Sequence, residues 1–150
     1  MLRYLIGTSQ YGLWYKQTEG VKLQGFIDAD WVGSPSDRKR TSGGIFNFSS
    51  AAVSWYIRKQ RSVALSSAEA EYMAASQATC EAIWMRKILV ELFDQRMDPA
   101  VIYCDNLSCI KLSQNPVSHD RSKHINIQYH HLRDCLVKRI MLLHYVLTKE

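Results

Sequence analysis

A chain of 150 residues, 47% hydrophobic and 22% charged with seven Gly and three Pro, has the composition of one globular domain, which excludes a disordered or fibrous protein. Its four cysteines form no Cys-x-x-Cys pair and follow no secretory leader, which argues against a secreted disulfide scaffold, and no run of about 18 apolar residues offers a membrane-spanning helix. The net charge of +5 is uneven: residues 1–65 carry nine basic and four acidic groups, residues 66–110 three and seven, and residues 111–150 seven and three. An acidic middle between basic flanks suits a hard-metal site set in a surface that attracts a polyanion. Charges alternating between solvated faces give the same totals.

Met1 to Ile6 reads as the last turns of a helix without an N-cap, as though the chain were cut there. Gly12 to Tyr15 reads as a short strand, and Gln17 to Gly20 as a polar connection. Lys22 to Trp31 is apolar and β-prone but interrupted by Asp28 and Asp30; Gly33 to Arg40 is a loop by composition. Gly43 to Ser49 and Ala52 to Arg58 follow as two strands, making three antiparallel strands in succession. From Ala68 to Phe93 there is no Gly or Pro and Ala recurs, which predicts one helix of about 26 residues, about 39 Å long. Such a helix crosses a domain of this size completely. Beyond Pro99 come a short buried strand Val101 to Cys104, a helix from Asn106 to Gln114, a polar loop from Pro116 to Lys123, an amphipathic helix from Ile125 to Lys138 and a last strand Met141 to Leu147. The order predicts an α/β domain with a five-stranded mixed sheet, three strands antiparallel and the last two parallel through helical crossovers. The four thiols, and the rings of Trp55, Tyr72 and Trp84, are expected in the core.

The carboxylates stand out because acids occur where burial is expected. Asp28 lies within the most apolar strand, and Asp105 ends Val101-Ile102-Tyr103-Cys104 at a strand-to-helix junction where ligands collect in open sheets. Asp105 could instead cap the following helix, a role Asn106 could fill equally well. Ser66-Ser67-Ala68-Glu69 fits a capping box, with Ser66 as N-cap and Glu69 reaching back to it. Glu71 belongs to a different stripe, continued by Ala74, Ala75, Ala78, Ala82 and Met85, which turns inward against a sheet. A glutamate heading a buried stripe needs a compensating charge, unless it is a partly exposed first-turn acid favoured by the helix dipole. Asp28 and Asp30 share one strand face, and spacing does not choose between them. Acids from two strands and a helix, without histidines at metal spacing, suit Mg²⁺ or Mn²⁺. Two such ions can activate water against a phosphodiester.

The order Phe26-Ile27-Asp28-Ala29-Asp30-Trp31, Asp37-Arg38-Lys39-Arg40-Thr41-Ser42-Gly43-Gly44, Val53-Ser54-Trp55, Lys59-Gln60, Val63 through Tyr72, and Tyr103-Cys104-Asp105-Asn106 resembles the ribonuclease H domain of copia-type retrotransposon Pol polyproteins. The likeness continues through Asn115-Pro116-Val117, Lys123-His124-Ile125 and Tyr129-His130, and covers residues 21–149 almost continuously. Residues 1–20 resemble the end of the reverse-transcriptase connection in that family, leaving residues 21–150 as the ribonuclease H-like domain. The resemblance implies a ribonuclease H fold and cleavage of the RNA strand of an RNA–DNA hybrid with two Mg²⁺ ions, for which Mn²⁺ can substitute. It matches the family's catalytic, metal-holding carboxylates to Asp28, Glu71 and Asp105. The family's fourth carboxylate, in a terminal helix past the last strand, has no counterpart before Glu150, so the C-terminal helix is expected to be missing.

Arg58, Lys59 and Arg61 are candidate phosphate contacts, as are Arg38, Lys39 and Arg40, although each group also fits a solvated face. Ser66, Ser67 and Asn106 could meet sugar hydroxyls, with capping the alternative for the serines. His124, His130 and His131 fit a proton shuttle, a phosphate contact or a structural role. The expected partners are the hybrid and the reverse-transcriptase domain of the same polyprotein, without a membrane. The expected setting is intracellular, in a cytoplasmic virus-like particle or the nucleus. The alternative is an inactive retrotransposon remnant that keeps the fold and weak nucleic-acid binding.

Overall fold

Strand register organises the fold, and the inner face of the first two strands shows how. The computed structural model describes residues 2–17, 20–30, 39–94, 97–114 and 126–147. In it β1 (Leu23–Asp30), β2 (Thr41–Phe48) and β3 (Ala51–Lys59) form an antiparallel meander. Gly25 pairs with Phe46, and Gly44 pairs with Tyr56. A Cβ on Gly25 would lie 2.8 Å from the Phe46 ring, and one on Gly44 would lie 2.6 Å from the Tyr56 ring. Each glycine therefore yields its side-chain space to the aromatic opposite, and both rings turn into the core.

The helix α2 (Ser67–Phe93) covers that inner face. Ala74, Ala75, Ala78, Ala82 and Met85 are all buried, so the small-residue stripe brings the helix close to the sheet as expected. Ser66 Oγ accepts from Glu69 N–H at 3.1 Å, and Asp94 ends the helix in the left-handed conformation with its N–H on Val90 O at 2.9 Å. The Glu69 carboxylate reaches back one residue further than the simple box requires, accepting from Leu65 N–H at 2.6 Å.

β4 (Ala100–Cys104) and β5 (Met141–Tyr145) run parallel to β1, giving the order β3-β2-β1-β4-β5. Their crossovers are α2, then α3 (Leu107–Gln114) with α4 (Asn126–Val137), which pack beside α2. Arg86 ties α2 to the backbone leading into each of these strands, donating to Ile140 O at 2.6 Å ahead of β5 and to Met97 O at 3.0 Å ahead of β4. The predicted α/β architecture, with three antiparallel strands and two parallel ones, is the one observed.

Several local expectations differ. α1 (Leu2–Gly7) forms, but Gly12 to Tyr15 is not a strand. Its last residue instead touches the start of β3, through Tyr15 Oη on Ala52 O at 2.6 Å, and the following Lys16 N–H meets Ser50 Oγ of the β2–β3 turn at 2.9 Å, too few contacts for a ladder. Tyr72 is fully buried, whereas Trp55 is 68% and Trp84 56% exposed. Trp55 pairs with Ile45, which pairs with Phe26, so register carries it to the outer face; that row continues through Tyr103 to His144 across all five strands. Cys104, Cys109 and Cys135 are buried, but Cys80 is exposed. The expected loops around residues 33–38 and 116–123, Trp31, Arg38, His124, Glu150, and the Asp30 and His130 side chains lie outside the described residues.

Candidate metal centre

The site begins where two parallel neighbours part. β1 pairs with β2 as far as Asp30, but with β4 only through Phe26 and Tyr103. The Phe26 and Tyr103 rings stack at 4.9 Å and 16°, closing the seam on the outer face. Beyond them β1 and β4 no longer pair with each other, and it is in such crevices at the carboxyl ends of strands that open α/β sheets bind ligands. Asp28 and Asp105 each lie two residues past that last pair. Both are exposed, so Asp28 does not carry the burial expected from its apolar neighbours: strand alternation sends Ile27 and Ala29 inward and Phe26 and Asp28 outward.

Glu71 approaches the same crevice from α2 and is only 5% exposed. Its Oε1 accepts from Ala29 N–H at 2.9 Å, an amide beyond the reach of β4. Its Oε2 lies 3.8 Å from Cys104 Sγ. Burial, with Asp105 and Asp28 adding repulsion, raises the Glu71 carboxyl from an ordinary 4.5 to about 7, against the opposing hydrogen bonds from Ala29 and Cys104. Donor atoms of Glu71, Cys104 and Asp105 lie within 4.8 Å of one another. Among the described residues this is the grouping of three that could hold one cation, and Asp28 stands outside it as a near electrostatic neighbour. Two carboxylates and a thiol, with burial and nearby acids opposing the ionisation of Glu71, fit a divalent cation.

Asn106 performs the capping role open to it, its Oδ1 accepting from Cys109 N–H at 3.0 Å, so Asp105 is not needed as the cap of α3. Ser66 is likewise a cap, exposed at the start of α2. Below the carboxylates, Gln60 Nε2 donates to Ser42 Oγ and Ala70 O, both at 2.9 Å, tying β2 and β3 to the first turn of α2.

Arg58, Lys59 and Arg61 gather separately, at the end of β3 and just beyond it. They line a cavity of ≈ 400 Å³ together with Ser76, Gln77, Glu81 and His131. The Arg58 guanidinium lies 5.1 Å above the Tyr56 ring, which holds its planar head in place. Sequence reasoning found this basic group but missed the opposite wall, because Ser76, Gln77, Glu81 and His131 come from α2 and α4. It also missed Cys104, whose signal was available: it shares the inward face of β4 with Ala100 and Ile102 and immediately precedes Asp105.

No protein-family model matches the chain. It is 40% identical over 134 residues, 89% of its length, to the retrovirus-related Pol polyprotein from transposon RE2 of Arabidopsis thaliana. Over the same length it is 42% identical to that from transposon TNT 1-94 of Nicotiana tabacum. The chain spans 9% and 10% of these two relatives. Among solved structures it is similar to LC11-RNase H1 isolated from compost, with TM-score 0.54 and 12% identity over 86% of this chain and 85% of that one. The crystal structure of LC11-RNase H1 in complex with an RNA/DNA hybrid gives TM-score 0.54 and 9% identity over 84% and 86%.

Proposed function

Because this chain is a homologue of a segment of the retrovirus-related Pol polyproteins of transposons and has the ribonuclease H fold, we propose that it is a metal-dependent nuclease. It cleaves the RNA strand of an RNA–DNA hybrid during reverse transcription, inside cells and beside the reverse-transcriptase domain of the same polyprotein. In this reading residues 1–20 are the end of the reverse-transcriptase connection and residues 21–150 the nuclease domain.

The observation that carries the reading is the convergence of Glu71 and Asp105 donors at the parted ends of β1 and β4, with Asp28 on the adjoining strand end. These three residues would hold Mg²⁺ or Mn²⁺, which supplies the charge that activates water and stabilises the departing 3′ oxygen. Glu71, fixed by Ala29 N–H, positions its carboxylate from below; Asp28 and Asp105 are exposed where a phosphate could approach. Arg58, Lys59 and Arg61 bind backbone phosphates without reading sequence, which suits a substrate defined by duplex type rather than base order. Asn106, next to Asp105, and Ser66, at the start of α2, would meet sugar hydroxyls.

Mixing the 150-residue chain with a labelled hybrid is expected to release RNA fragments and leave the DNA strand intact in Mg²⁺ or Mn²⁺, with no cleavage in EDTA. The double variant Arg58→Ala, Arg61→Ala is expected to bind hybrid about tenfold more weakly and to lower the salt-dependence slope by about two. Binding without cleavage in either metal would favour the remnant reading, which draws support from the position of Asp28 outside the three-donor group.

A further inference from the structure

The donor set at the parted strand ends is not purely oxygen. Cys104 is fully buried as the last residue of β4, and its Sγ lies 3.8 Å from Glu71 Oε2 within the group that includes Asp105. Asn106 N–H donates to that sulfur at 3.4 Å, so the short turn into α3 fixes the thiol against the carboxylates. Oxygen donors alone select Mg²⁺ and Mn²⁺, whereas a thiolate among them favours zinc-like ions, for which three protein donors and one open position are an ordinary arrangement. The other buried thiol nearby, Cys109, lies at the start of α3 and is absent from the three-donor group.

We propose that Cys104 makes the centre thiophilic, so that Glu71, Cys104 and Asp105 together capture a zinc-class divalent cation in competition with Mg²⁺. As the sulfur–metal bond forms, the thiol proton passes to buffer and nothing is oxidised. The bound ion occupies Glu71 and Asp105, two of the three carboxylates that the nuclease needs, so it acts as an inhibitor. The inhibitory consequence rests on the nuclease reading; the binding site itself does not.

Cadmium serves as the probe, because a thiolate–cadmium bond has an ultraviolet charge-transfer band. Titration of the reduced, metal-free 150-residue chain is expected to give that band at one equivalent. Cys80→Ser, which removes the exposed thiol, keeps the band; Cys104→Ser and Cys104→Ala both lose it. Asp105→Asn weakens cadmium binding about tenfold or more, and excess Mg²⁺ raises the apparent Kd. A band that survives in Cys104→Ser, or that Asp105→Asn leaves unchanged, overturns the proposal. Circular dichroism verifies folding, and cadmium protection of wild-type Cys104 from a thiol reagent gives a second measurement that needs no variant. Mn²⁺ binding, followed by loss of the free-ion paramagnetic signal, separates the two readings. A wild type that binds Mn²⁺ without a cadmium band overturns the thiol assignment alone. A wild type with the band but no Mn²⁺ binding upholds it and overturns the nuclease's metal requirement.

Discussion

Glu71→Gln is expected to abolish cleavage while making the metal-free domain more stable above pH 7. The side-chain oxygen of Gln can still accept from Ala29 N–H, so the local geometry survives, but the negative charge is gone. In the wild type, burial and the neighbouring acids hold the Glu71 carboxyl at about 7 instead of 4.5. Between those values the folded chain retains a proton that the unfolded chain has released. Stability therefore falls as pH rises through that window, by at most about 3 kcal/mol once Glu71 is ionised. Below the unfolded value the penalty is absent. Urea unfolding in EDTA from pH 4 to 9 should show this decline in the wild type and not in Glu71→Gln, with the variant ahead by about 1–3 kcal/mol at pH 8. Added divalent cation should narrow the gap, since it stabilises only the ionised wild type. Cleavage of a labelled hybrid should drop about a hundredfold or more, on the scale of losing one preorganised charge-stabilising group. Parallel pH–stability curves would refute the assignment of the decline to Glu71. The combination describes a residue kept at a cost in stability for its function.

Phe46→Ala should be the most damaging single truncation in the sheet, costing about 3–5 kcal/mol. Its ring is fully buried, lies over Gly25 and faces Tyr56 at 6.4 Å between centroids. Gly25 has no side chain to collapse into the vacated space, so the cavity persists. Against a total of about 5–15 kcal/mol for a domain, that loss brings the fold near its threshold. Trp55→Ala is the control: a larger ring is removed from the outer face, and the change should stay within about 1 kcal/mol. Equal losses in the two variants, measured by urea midpoints, would contradict the inner and outer assignment.

That contrast shows where sequence reasoning succeeds. α2 is readable because capping, composition and the small-residue stripe all specify the same helix, and Glu71 follows from its place on the stripe. Trp55 and Trp84 are misread because ring size suggests burial, whereas strand register and helix face decide it. Asp28 is misjudged for a related reason: its apolar neighbours Phe26 and Ile27 point to opposite faces, so a run of hydrophobic letters is not a buried surface. Cys104 escapes because a thiol with no cysteine partner at close spacing reads as inert filler. Its meaning depends on Glu71, 33 residues earlier in the chain.

The seam between β1 and β4 also bears on folding order. β1, β2, β3 and α2 are consecutive in the chain, and the meander's strands are joined by residues 31–40 and by the two-residue turn 49–50. β4 must return from the far end of α2, with Gln24 meeting Val101, before the second half of the sheet can form. Loop-closure entropy makes such long-range pairing the slower event. Asp28 and Glu71 belong to the early half, Cys104 and Asp105 to the late one. A nascent chain that stalls before β4 docks therefore holds half of the donor groups and cannot assemble the centre. Metal capture during refolding should report the final step of topology rather than the first collapse.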